Sequence, residues 1–325
     1  GENPRGFHFR GKRKMRTVFW LQCGACGGDT MSLLGMEGLD LVELLREKGL
    51  KLLYHPSLSG NSPRQQEELL DSLRKGKESL DILLVEGFVI SGPDGTGMYD
   101  TCLGEPKMTL ITELAARAGA VVGVGTCASF GGIGNSGEIS ASGLQFTKER
   151  GGGVLGENFR TRRGWPVINL PGCPVHPSIL KDTLYALAEG KLPTLDQMQC
   201  PQDWYSMLVH QGCTRNEYHE YRVEEIDFGG RGCMFFHLGC RGPLTYGPCN
   251  KVHWNQRNSK TDAGVPCFGC TQPDFPQDHP FFTTPNIVDV PLELPRGVNR
   301  AHYLAYKGMA AAAAPERLKS RKSRV

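Results

Sequence analysis

The sequence predicts a doubly wound parallel α/β sheet of flavodoxin-like size, residues 1–194, followed by a loop-rich, cysteine-rich domain, residues 195–325. Three observations carry this reading. Short apolar runs at 18–22, 120–125 and 167–170 have strand character, and each ends abruptly in a glycine-bearing loop. Stretches between the runs carry helix start and stop signals, so strands and helices alternate. Beyond about residue 195 that alternation fades, while cysteine and histidine crowd together.

Taken in order, residues 1–15 form a basic arm with Arg5, Arg10, Lys12, Arg13 and Lys14, expected to be solvated. Residues 16–22 are strand one. The amphipathic stretch 39–48 is a helix stopped by Gly49, and 50–54 is strand two. Ser62 and Pro63, as N-cap and first helical residue, open a helix to about Lys75. Residues 82–85 are strand three, followed by a turn-rich loop to Gly97. Residues 108–117 are helical and stop at Gly119. Strand four carries Cys127 at its end, 134–160 are loop, and strand five ends at Cys173. Pro177 and Ser178 begin a helix that stops at Gly190. The tail from Ala310 is alanine-rich and then basic, and is either disordered or laid along a partner.

Bulk properties narrow the function. A chain of 325 residues buries a full core and has room for two domains. A net charge of only +3 gives no signal for nucleic acid or an acidic surface. No apolar run reaches the ~18 residues of a membrane span, and no signal peptide or twin-arginine leader is visible. Twelve cysteines in such a chain fit a reducing, cytoplasmic setting, where clustered Cys and His bind metal more often than they form bridges. The first loop lacks a dinucleotide fingerprint, and the turn at 57–61 lacks the ending of a P-loop. Nucleotide or flavin chemistry is therefore disfavoured.

Cysteine chemistry remains. In a parallel sheet, ligands gather beyond the carboxyl ends of the strands. Three cysteine-bearing loops can aim side chains at one point there, with Cys23, Cys26, Asp29, Cys127 and Cys173 as candidates. A cubane needs four ligands, so one of these is surplus. Asp29 is a harder donor than thiolate and would alter a cluster's electronics. Its competing role is to cap a helix starting near Thr30. In the second half, His210 and Cys213 stand three apart. Cys233, Cys240, Cys249, and the pair Cys267 and Cys270 follow. Zinc also takes Cys-x-x-Cys and His with Cys, and a zinc-stabilised binding protein is the competing reading. Cys102 and Cys200 fit no grouping and read as buried free thiols. His176, His219, His237 and His253 read as surface or core residues, and Phe235, Phe236, Trp254 and Phe268 as packing around the metal sites.

These motifs resemble a [NiFe]-hydrogenase small subunit over roughly residues 16–305. They are the strand-to-cysteine loop at 18–29, Gly125-Thr126-Cys127-Ala128 with Gly131-Gly132, Pro171-Gly172-Cys173-Pro174 with Pro177, and the ordered ligands of the second half. Aligned without gaps through Ser32, the family's first Cys-x-x-Cys falls on Cys26 and Asp29. The resemblance then implies a proximal [4Fe-4S] cluster on Cys26, Asp29, Cys127 and Cys173. A competing register uses Cys23 with Cys26 and leaves Asp29 outside the ligands. The aspartate departure most resembles the actinobacterial-type, oxygen-insensitive group. Further implications are a distal [4Fe-4S] cluster on His210, Cys213, Cys233 and Cys240, and a medial [3Fe-4S] cluster on Cys249, Cys267 and Cys270. Nothing in the chain supplies a Ni–Fe site, so the resemblance implies a large-subunit partner that holds it and oxidises H2. An electron acceptor of unknown identity and a dimer of heterodimers complete the expected assembly. A related quinone-reductase subunit, the second alternative, resembles only the first domain.

Overall fold

The computed structural model describes residues 15–319, apart from 39 and 136–138. Its centre is one five-stranded, wholly parallel sheet of β1 (Arg16–Gln22), β2 (Leu50–Tyr54), β3 (Ile82–Glu86), β4 (Ala120–Val124) and β5 (Ile168–Leu170). They run in the spatial order β5-β4-β3-β1-β2. This is the flavodoxin-like order, whose switch point lies between β1 and β3.

Side chains alternate across the sheet, as the period of a strand requires. Val18, Trp20, Leu84, Val122 and Ile168 face one side. Leu33 of α1 (Gly28–Leu34), Leu44 of α2 (Leu41–Glu47) and Ile179, Leu180 and Leu184 of the later helix Pro177–Ala188 cover them. Phe19, Leu21, Leu83, Val85 and Val121 face the other side. They lie under Leu70 and Leu73 of α3 (Pro63–Arg74) and Leu110, Ile111 and Leu114 of α4 (Lys107–Arg117). Burial of each such side chain stabilises the fold by about 1.5–3 kcal/mol.

The local signals act as expected. Ser62 and Gln65 form a reciprocal capping box with Pro63 at the start of α3. Asp40 and Glu43 do the same for α2, and Gly49 follows at φ 66°. The expected loop at 134–160 contains small ladders: 141–142 pairs with 89–90, and 146–147 with 150–151. Cys127 is not at a strand end. Gly125 adopts φ 83° and turns β4 directly into α5 (Gly125–Phe130), which carries the cysteine.

From residue 195 onward the described chain has short helical turns and one small antiparallel ladder, 286–287 with 290–291, until a helix at Arg300–Ala312. Tyr303 of that helix is buried against Cys233 and Phe235. Ala314 and Leu318 then pack on Val223, and Arg317 pairs with Glu217. The tail through Lys319 is thus docked on its own chain. The basic arm before residue 15 and the basic residues Arg321, Lys322 and Arg324 lie outside the described residues. Among the described residues no helix is long and apolar enough to cross a membrane.

Candidate metal centres

The loop after β1 sits at the switch point. Cys23 N–H donates to Glu86 C=O at 2.8 Å, and Gly24 and Phe88 exchange backbone bonds at 3.0 and 3.2 Å, so the loop continues along β3 for two residues. Gly24 abuts the Phe88 ring so closely that a Cβ would stand 2.2 Å from it. The chain then turns through Gly27, at φ 76°, into α1. Glu86, buried at the end of β3, fixes that turn. Its Oε1 accepts the Asp29 and Thr30 N–H groups, both at 3.2 Å. Its Oε2 accepts from Trp20 Nε1 (3.1 Å), Gln22 Nε2 (2.9 Å) and Thr30 Oγ1 (2.5 Å).

This places Cys26 and Asp29 toward the loops after β4 and β5. Asp29 Oδ1 accepts the Val175 N–H at 2.6 Å, and its Oδ2 lies against Gly125. Burial pushes the Asp29 carboxyl up to about 7; the Val175 N–H opposes this and the charge of Glu86 adds to it. Cys127 is pushed up to about 11 by burial, with contributions from Asp29 and Cys26. Cys173 is pushed up to about 12 by partial burial and by Cys270, Cys127, Asp29 and Cys26. The four side chains therefore occupy one electrostatic neighbourhood. Thiols held this far up need a cation's compensation to become thiolate ligands.

Cys23 points elsewhere. Alternation along β1 sends Phe19, Leu21 and Cys23 to the α3–α4 side, where Cys23 is buried beside half-buried Cys102. Its thiol is raised by burial and by Asp100 and Cys102, with none of the Cys26 set acting on it. This placement sets Cys23 apart from Cys26 and supports the register that leaves it outside the ligands. Cys200 is buried as expected and donates its thiol to Met198 C=O at 3.6 Å. Cys102, expected to be buried, is only half so.

The second half holds two further groups. His210, Cys213, Cys233 and Cys240 line one small pocket together with Arg215, Phe235, Pro243 and Asn250. Burial raises the Cys233 thiol strongly and takes Cys240 up to about 11. Burial likewise takes Cys249 up to about 11 with help from Cys270, while Trp254 donates a side-chain bond to it. Cys267 is raised by burial, then by Cys240 and Cys270.

A common local device joins these cysteines. The N–H two residues ahead turns back to the sulfur: Gly28 to Cys26, Arg215 to Cys213, and Gly269 to Cys267, each at 3.4 Å. Phe235 does so for Cys233 and Gly242 for Cys240. Such donors favour the charged thiolate. Among the described residues no three Cys, His, Asp or Glu side chains converge tightly enough for a single ion. Neighbouring groups also touch. Thr126 Oγ1 donates to Cys270 C=O and accepts from Gly172 N–H at 2.8 Å. Cys267 N–H donates to Cys240 Sγ at 3.4 Å, and Arg241 N–H to Cys267 C=O at 2.7 Å.

Several supporting residues escape a sequence reading. His219 is buried behind Cys233 and His210. Its Nδ1 lies 3.4 Å from Cys233 Sγ, and its ring meets His210 at 4.6 Å. Burial, then His210 and Arg222, hold the imidazole down to about 3, so it is neutral, and with its hydrogen on Nδ1 it donates a hydrogen bond to that sulfur. Arg215 spends its guanidinium on the carbonyls of Thr261, Gly230 and Gly232 at 2.8, 2.5 and 2.8 Å. Of the other histidines, His176 is buried between Trp204 and Trp254 and caps the helix after it, and His253 pairs with Asp262.

A doubly wound sheet with cysteine loops at its carboxyl edge, joined to a cysteine-rich half built of turns, defines an iron–sulfur electron-transfer protein. Family comparison makes this specific. Residues 205–283 match the family of the C-terminal region of the NiFe/NiFeSe hydrogenase small subunit, and 26–187 match the NADH ubiquinone oxidoreductase, 20 Kd subunit family. The F420 non-reducing hydrogenase I small subunit of Methanosarcina mazei is 32% identical, over 80% of this chain and 73% of that protein. The periplasmic [NiFe] hydrogenase small subunit 1 of Nitratidesulfovibrio vulgaris is 29% identical, over 82% and 81%. The solved actinobacterial-type NiFe-hydrogenase of Ralstonia eutropha H16 superposes with a TM-score of 0.76 at 25% identity, covering 96% of this chain and 94% of that one. The chain belongs to the [NiFe]-hydrogenase small-subunit family, and is an electron-transfer subunit that works in complex with a large subunit.

Proposed function

We propose that this subunit relays electrons from H2 oxidation at the Ni–Fe site of its large-subunit partner through three iron–sulfur clusters to an acceptor. Cys26, Asp29, Cys127 and Cys173 would hold a proximal [4Fe-4S] cluster. Cys249, Cys267 and Cys270 would hold a medial [3Fe-4S] cluster. His210, Cys213, Cys233 and Cys240 would hold a distal [4Fe-4S] cluster. When bound, the clusters supply one-electron carriers in series.

The observation that carries the reading is the turned-back N–H at Cys26, Cys213, Cys233, Cys240 and Cys267. It falls on proposed ligands and prepares their sulfurs for negative charge. Cys200 instead uses its thiol as a donor. The residues around the groups fix orientation: Glu86 holds the first loop, Arg215 ties three carbonyls beside Cys213, and Thr126 bridges the proximal and medial loops. The proximal end supports docking of the large subunit, because Cys26 and Cys173 are exposed there, α1 exposes Met31 and Leu34, and Ile133 is exposed just beyond Cys127. We place the assembly as a dimer of such heterodimers.

Elemental analysis of the natively purified complex tests the reading. About eleven irons with matching acid-labile sulfide on this subunit, and nickel on the partner, are expected. Zinc without labile sulfide would end it. Asp29→Ala and Cys23→Ala separate the two registers: only the Asp29 change is expected to alter the proximal cluster's paramagnetic signal.

A further inference from the structure

Beside the group of Cys249, Cys267 and Cys270 stands a lysine. Lys260 lies between Ser259 and Thr261, both buried. Thr261 Oγ1 donates to Asn250 Oδ1 at 2.7 Å, and Ser259 Oγ is 3.2 Å from Thr261 Oγ1. The Thr261 carbonyl takes the Arg215 guanidinium, and Lys260 C=O accepts from Val265 N–H at 2.9 Å. The backbone at 260 is thus fixed next to the residue that follows Cys249. From there the side chain reaches across to the Cys-x-x-Cys loop. Its Nζ sits 4.9 Å from the ring centroid of Phe268, the residue between Cys267 and Gly269. A cation over an aromatic face is itself attracted to the ring.

The electrostatic surroundings agree with this placement. Burial favours the neutral amine, but the charges of Cys270, Cys249, Cys267 and Cys173 outweigh it and the net shift is upward. The groups that raise it most are all thiols. An ammonium has three donors and no lone pair for iron, so it serves this group as a charge and not as a fourth ligand. Three thiolates around a desolvated cluster carry an excess of negative charge, and net charge is one of the determinants of cluster potential.

On the three-cluster reading above, we propose that Lys260 is a positioning residue for the medial site, a fixed counter-charge that stands over the Cys249, Cys267 and Cys270 group and raises the reduction potential of the cluster held there. A positive charge stabilises the reduced, more negative cluster more than the oxidised one. The medial site therefore accepts electrons from the proximal side more readily than its thiolates alone would allow. Cys173 of the proximal group also acts on Lys260, though less than the medial thiols do.

The test is a redox titration of the complete heterodimeric complex, following the medial cluster by electron paramagnetic resonance. Lys260→Gln removes the charge, and Lys260→Arg keeps it. For Lys260→Gln, the reduced-to-oxidised ratio of the medial cluster at a fixed potential is expected to fall about tenfold, which is ~59 mV for a one-electron couple. Iron and labile sulfide are expected to stay at the wild-type level, and Lys260→Arg to keep the wild-type midpoint. An unchanged midpoint in Lys260→Gln with full iron content overturns the proposal, and so does an equal fall in Lys260→Arg. A wild-type complex without a third cluster signal overturns the three-cluster reading itself, before any variant is compared.

Discussion

Glu86 holds the first cysteine loop through five donated hydrogen bonds, so the isosteric change Glu86→Gln should loosen that loop by a definite amount. An amide offers one acceptor oxygen and one NH2 where the carboxylate offered two acceptors. If the NH2 takes the Oε1 place, it faces the N–H groups of Asp29 and Thr30 and both lose their partner. If it takes the Oε2 place, the Gln22 amide can flip and the Thr30 hydroxyl can turn to accept. The Trp20 Nε1–H, 3.1 Å away, cannot adapt. At least one buried donor is orphaned in either case, at about 1–3 kcal/mol. Taking about 2 kcal/mol, the opening equilibrium of the loop rises roughly 30-fold, since ~1.36 kcal/mol is a factor of ten. Amide hydrogen exchange read by mass spectrometry on a peptide spanning 26–34 measures this directly. Exchange there should accelerate about 30-fold by the same arithmetic, while a peptide from β4 should not change. Unchanged exchange at 26–34 would refute the assignment of Glu86 as the clamp.

Two other perturbations bear on the sites. Gly125→Ala would place a Cβ 2.2 Å from Asp29 Oδ2 at a φ of 83°. It should cost at least the ~1–2 kcal/mol of left-handed backbone and also alter the proximal signal. Gly156→Ala, at φ 79° with open space around it, should lose stability to a similar extent and leave the signal alone; equal spectra for the two variants would contradict the close approach of Asp29. His219→Phe keeps a buried ring beside His210 but removes the ring nitrogen 3.4 Å from Cys233 Sγ. Hydrogen bonds to sulfur help to set cluster potential, so the distal midpoint should fall with iron content unchanged. A midpoint equal to wild type would show that the contact carries no hydrogen bond.

Much of the sheet was legible because its signals are local. Apolar runs and the Ser62–Pro63 helix start each act within a few residues, and β1 through β3 lie where those signals put them, while β4 and β5 stop short of Cys127 and Cys173, at Val124 and Leu170. Cys23 shows how far such logic extends. Its distance from Cys26 left two registers open in sequence, and the alternation already present in Phe19, Leu21 and Cys23 favours the one without Cys23 once β1 is known to pair on both sides. The supporting residues were harder to see for a physical reason. Glu86 is 57 residues from Asp29, and Thr126 is 144 from Cys270. No periodicity links positions brought together only by tertiary folding. His219 reads as an ordinary core histidine until Cys233 is placed beside it. The helix Arg300–Ala312 was missed because its buried face is narrow: Tyr303 is its one buried residue.

The hydrogen bonds that run from one cysteine group to the next make the three sites a single mechanical object. The carbonyl of Cys270 is held by Thr126, which neighbours Cys127, and the sulfur of Cys240 takes its bond from the backbone of Cys267. A ligand removed from one group therefore disturbs the hydrogen-bonding partner of another. Effects of changes at such connected positions do not add. A spectrum lost after a single cysteine substitution identifies the neighbourhood of that cysteine, and only a double-substitution cycle across Thr126 or Cys267 can apportion the loss between adjacent sites.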